Sequence, residues 1–191
     1  VIYSSAGAQF ITVTGSVGNL GSLAIYGGAA GHGNTAGIVS TSGAQNLDVV
    51  GNILVQGGGN AASYQNFAGI ENKASQTVNV YYGGSVVLRG GAGGGIISAT
   101  GTSDNYASIK TTSGNQTIDF DDGGRLDLFG GSLGNANYAR IWNSGAGQQT
   151  IAGNSAITMT GGDSCGMGLA AGATDPFSSG GFAPARGNNA M

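Results

Sequence analysis

Gln76 to Gly91 (QTVNVYYGGSVVLRGG) aligns without a gap on Gln116 to Gly131 (QTIDFDDGGRLDLFGG), 40 residues further along, and keeps Gln, Thr and four Gly in place. Shortened forms run from Gln45 (QNLDVVGNILVQGG) and Gln149 (QTIAGNSAITMTGG), and a form with a longer middle runs from Gln9 (QFITVTGSVGNLGSLAIYGG). A second block follows the Gly-Gly pair as Asn-x-Ala-x-Ile, beginning at Asn34, Asn66, Asn105 and Asn137. Five copies at a spacing of 31 to 40 residues limit the chain to architectures in which one supersecondary unit is stacked on its like.

Within each copy apolar and polar residues alternate over five or six positions, the pattern of half-buried strands, and nowhere is a 3.6-residue period sustained. Three short strands per copy are expected. Their inward positions form six columns: Ile11, Leu47, Val78, Ile118, Ile151; Val13, Val49, Val80, Phe120, Gly153; Leu23, Ile53, Val86, Leu126, Ile157; Ile25, Val55, Leu88, Leu128, Met159; Ala36, Ala68, Ala107, Ala139; and Ile38, Ile70, Ile109, Ile141. An all-β parallel β-helix, or β-solenoid, of about five coils uses every column and rises roughly 24 Å at the ordinary strand spacing. Burying six side chains per coil supplies on the order of 10 kcal/mol before chain entropy, so coils are viable only when stacked. A β-sandwich is the lesser alternative, because nothing in it calls for a phase-locked Gln, Gly-Gly and Asn frame.

The copies divide the chain at 9–44, 45–75, 76–115, 116–148 and 149–169. Ile2 precedes Gln9 by seven residues, as Ile38 precedes Gln45, so residues 1–8 read as the end of a third strand. Bare ends on such a stack are expected to be covered by end-to-end association of copies or by further coils of a longer protein. Residues 170–191 lose the frame and form a tail or arm, with Phe177 and Phe182 as its large apolar anchors.

Six Lys+Arg against nine Asp+Glu give a net charge of −3, and the basic residues are scattered, which argues against nucleic acid as a partner. No apolar run reaches the length of a transmembrane segment, and no secretory signal is visible in VIYSSAGAQF. Cys165 is the single cysteine, so no intrachain disulfide or zinc cluster can be built from it. Few charges and many Gly, Ser, Asn and Thr point to an extracellular or cell-surface setting.

The repeated polar residues read as structure. Asn34, Asn66, Asn105 and Asn137 form an expected ladder up the stack, in left-handed backbone geometry, with amides bonded to backbone and to the next Asn. The Gly-Gly pairs read as corners requiring positive φ. The only dense acidic stretch, DFDDGGRLD, offers Asp119, Asp121 and Asp122 as candidate ligands for a cation such as Ca²⁺, or as solvation of one coil. Glu71 and His32 have no evident catalytic partner, and no cofactor motif is found. Trp142 and Tyr138, beside the third strand, are the first candidates for an interface contact with a glycan or neighbouring protein. A polysaccharide-active enzyme or glycan-binding module on the same scaffold is the alternative to a non-enzymatic structural or adhesive role; acid/base cleavage would require a carboxylate pair at fixed separation.

With Gln-x-Ile-x-Val, Gly-Gly and Asn-x-Ala-x-Ile in hand, residues 1–162 resemble the glycine-rich β-strand repeats of large bacterial surface exoproteins, the filamentous-haemagglutinin-like and autotransporter adhesins. The resemblance implies a right-handed parallel β-helix, exported to the cell surface, that serves adhesion, aggregation or matrix formation.

Overall fold

Alternating β-branched and polar residues favour extended backbone, and twelve strands form among the described residues. The computed structural model describes residues 1–31, 33–59, 65–92, 105–131 and 137–161. In chain order the strands are β1 (Ile2–Ser4), β2 (Gln9–Val13), β3 (Gly21–Tyr26), β4 (Ala36–Ser40), β5 (Gln45–Gln56), β6 (Ala68–Asn72), β7 (Gln76–Tyr81), β8 (Ser85–Arg89), β9 (Ala107–Thr111), β10 (Gln116–Phe129), β11 (Ala139–Asn143) and β12 (Gln149–Thr160). Their named pairings are all parallel, each strand lying beside its equivalent in the next copy: Gln45 beside Gln76, Ile70 beside Ile109, Leu126 beside Ile157. The chain is a parallel β-solenoid. Successive coils are 36, 31, 40 and 33 residues apart, as the repeats require.

Two features differ from the sequence expectation. Four coils are complete, those of β2–β4, β5–β6, β7–β9 and β10–β11, while β1 and β12 each supply part of another. The three expected faces also merge into two sheets. Third strands make a five-stranded sheet, β1-β4-β6-β9-β11, whereas first and second strands share the other. In β5, β10 and β12 the first and second strands are continuous, because one or two left-handed residues bend the backbone and interrupt the pairing for only a few residues: Gly51 at φ 135°, Asp122 and Gly123 at 62° and 74°, and Gly153 at 86°.

The six columns occupy the interior as expected. Leu47, Ile53, Ile70, Val78, Leu88, Ile109, Ile118 and Leu126 are fully buried, and burial weakens only toward the first and last coils. Each apolar side chain rests on its counterpart one coil away, so the core is continuous along the axis.

The Gly-Gly corners required a correction. None of Gly27, Gly28, Gly57, Gly58, Gly90, Gly91, Gly130 or Gly131 has positive φ. Glycine is needed there because coils approach too closely for a side chain. A Cβ on Gly90 would lie 2.6 Å from the Asn137 carbonyl oxygen, and one on Gly58, Gly91 or Gly131 would run into the carbonyl of Gly28, Gly58 or Gly91 respectively. The tail from 170 with Phe177 and Phe182, together with His32, Tyr64, Cys165 and Gly162, lies outside the described residues.

Candidate functional site

Gln is the residue that opens every copy, and strand parity turns it inward with the apolar residues two and four positions later. Gln45, Gln76 and Gln116 are buried and hydrogen-bond directly to one another. Nε2 of Gln45 donates to Oε1 of Gln9 at 2.7 Å, Gln76 to Gln45 at 2.7 Å, Gln116 to Gln76 at 2.8 Å and Gln149 to Gln116 at 2.8 Å. The remaining amide hydrogen of each buried Gln crosses the interior to a third-strand carbonyl: Glu71 at 3.2 Å, Ile70 at 3.3 Å and Ile109 at 3.2 Å. This ladder satisfies buried amides that would otherwise cost the stack dearly. Beside it Ser40, Asn72 and Thr111 point inward at the strand ends and bond to the corner carbonyls of Ser42, Ser75 and Ser113.

The Asn residues also form a ladder, of a different kind from that expected. The backbone N–H of Asn34 donates to Oδ1 of Asn66 at 2.8 Å, that of Asn66 to Asn105 at 2.9 Å, and that of Asn105 to Asn137 at 3.2 Å. Left-handed geometry falls on the preceding residue, Gly33 at φ 70° and Gln65 at 59°, and not on the Asn. The side chain must reach along the axis, and an ordinary backbone at Asn aims it there.

Asp119, Asp121 and Asp122 are exposed. Asp122 occupies the left-handed corner of β10 and lines a depression of about 470 Å³ with Val17, Gly18, Leu20, Tyr82 and Gly83. Among the described residues no three of His, Cys, Asp and Glu converge on a point where a metal could be held. Asp127, outward by parity, is nevertheless covered and pairs with the largely exposed Arg125, the one ion pair among the described residues. Burial pushes the Tyr81 phenol above its ordinary value of 10.0, reinforced by the charge of Asp48 and a hydrogen bond to it, and by Asp121 and Asp119. The acids therefore act as a negative field on this flank.

Along the third-strand sheet runs a column of aromatic residues. Phe67, Tyr106 and Tyr138 stack at centroid separations of 4.8 and 5.0 Å with planes within 5° of parallel. Stacking takes both faces of Tyr106 and one face each of Phe67 and Tyr138, which reduces the area left for a sugar. Trp142, 40 % exposed, stands two residues beyond Arg140, which stands two beyond Tyr138. The Arg140 guanidinium carbon lies 4.2 Å from the Trp142 centroid, 4.8 Å from that of Tyr138 and 5.5 Å from that of Tyr106; Lys110 Nζ approaches Trp142 at 5.1 Å. The two interface candidates, Trp142 and Tyr138, are thus brought together, with Arg140 between them. Arg140 drew no attention in the sequence, although Tyr138, Arg140 and Trp142 alternate along one strand and so share a face. No protein-family description, curated protein or solved structure matches the chain.

Proposed function

We propose that this chain is a non-enzymatic structural or adhesive β-solenoid of the bacterial cell exterior, which self-associates end to end into a filament or forms part of a long fibrous surface exoprotein. The supporting observation is the direction of the Gln ladder. Each later coil donates to the earlier one, so the stack presents an amide N–H at Gln9 and the Gln149 carbonyl oxygen at the other end. A second copy, or a further coil, placed head to tail would continue both sheets and cover the column residues Ile2, Ile157 and Met159, exposed by 54, 51 and 58 %. Such a joint is heterologous and does not close, the condition for a fibre. A head-to-head joint would set donor against donor.

The test is electron microscopy and sedimentation of the purified chain. Fibres one solenoid wide, abolished by Met159→Asp with Ile157→Asp, are the expected outcome. Dispersed monomeric particles of the intact chain would refute self-association.

A further inference from the structure

We infer that the β9–β11 face binds a carboxylate-bearing sugar, a uronate or an oligomer of it, with Arg140 as the carboxylate ligand and Trp142 as the support for the ring. The inference gives the adhesive reading a ligand, and it uses only outward side chains of the third and fourth coils.

Three observations on Arg140 carry it. The guanidinium carbon lies over the rings of Trp142 and Tyr138, 4.2 and 4.8 Å from their centroids. The Arg140 Nε is buried with no hydrogen-bond partner, and among the described residues no carboxylate pairs with the group. Ser108 Oγ, on the register neighbour of Arg140 in β9, is likewise buried and unpartnered. A cation held by aromatic faces, with donors unspent, is arranged for a planar oxyanion, which Arg engages through two parallel N–H bonds.

Lys110 adds a second positive charge at the same Trp142 ring. Glu71 is its register neighbour in β6 and the one acid among the outward positions of this sheet's register; it forms no ion pair with Lys110, and it confines the anion to the Arg140 side. Arg140 and Lys110 lie over the Trp142 ring, and the 40 % of its surface that stays open is the part left to pack the C–H face of a sugar ring attached to the carboxylate. The other three rings are stacked on one another, so a neutral sugar finds little here.

Trp142 is the only tryptophan and reports directly on its own site. Its emission is followed while glucuronate and oligogalacturonate are added, with glucose, a neutral oligosaccharide, acetate and inorganic sulfate as comparisons. Saturable change with the two uronates, at least fivefold tighter than acetate or sulfate and absent with the neutral sugars, is expected. Arg140→Lys, which keeps charge but loses the fork, should weaken binding about tenfold while circular dichroism stays unchanged; Lys110→Gln should weaken it about threefold. Equal binding of sulfate and glucuronate, equal binding of glucose, or full affinity in Arg140→Lys would each overturn the assignment. Fibre formation by Arg140→Lys is scored separately, so failure here is distinct from failure of the stacking proposal.

Discussion

Replacing Gln76 by Leu removes three hydrogen bonds at a side chain that is 1 % exposed: two donated, to Gln45 Oε1 and the Ile70 carbonyl, and one accepted from Gln116 Nε2. It strands the Gln45 oxygen and one Gln116 amide hydrogen inside the core. An unpaired buried polar group costs about 1–3 kcal/mol, so the pair costs about 2–6. The better transfer energy of leucine returns roughly 1 kcal/mol. A net loss near ~3 kcal/mol follows, about a hundredfold in the folding constant. Gln149→Leu is the control, since it gives up a single bond and strands a single group, the Gln116 oxygen, at the exposed end of the ladder, and should cost about 1–2 kcal/mol. Urea unfolding followed by far-ultraviolet circular dichroism and by Trp142 emission measures both, and coincidence of the two probes checks that unfolding is all-or-none. Combining Gln45→Leu with Gln76→Leu should cost less than the sum, because their shared bond is lost once. Equal losses in Gln76→Leu and Gln149→Leu, within about 0.5 kcal/mol, would refute the role assigned to the ladder.

Ile70→Asp or Ile109→Asp buries an uncompensated charge at a fully enclosed column position and should prevent folding, read as loss of the β signal in circular dichroism. Gly91→Ala drives a methyl into the Gly58 carbonyl and within 2.6 Å of the Asn105 Cβ, whereas Gly18→Ala meets open space at φ +83°; thermal melts should show the first costing well over the ~1–2 kcal/mol of left-handed strain in the second. Tyr82, held at φ 58° ahead of Gly83 at 65°, occupies a turn position that suits Asn, so Tyr82→Asn should stabilise by about 0.5–1 kcal/mol in the same melts. With the Tyr81 phenol raised in the folded state, its stabilising contribution is full below pH 10.0 and lost as pH rises through the higher folded value. An ultraviolet phenolate titration should therefore lose a step above pH 10.0 in Tyr81→Phe.

The sequence alone determined the stack: the phase of the repeats fixed which residues lie above which, and alternation fixed which of them face inward, because a parallel register and a two-residue period leave no freedom once the copies are aligned. It placed Ile2 beside Ile38, and the structure pairs them. The same parity put Gln45, Gln76 and Gln116 on the inward side, so their burial was legible, but their bonds to one another were not, since these depend on the axial distance between amides. Whether a glycine that recurs from copy to copy, such as Gly91, is there for φ or for room is likewise invisible until the Gly58 carbonyl is in position beside it. Asp127 reads as outward and is covered, and Asn66 reads as a turn residue and bonds along the axis, because neighbouring coils outweigh local preference at both. Arg140 shows the division most plainly: its spacing from Tyr138 and Trp142 is written in the chain, while the absence of a paired carboxylate among the described residues is seen only when the surrounding coils are in place.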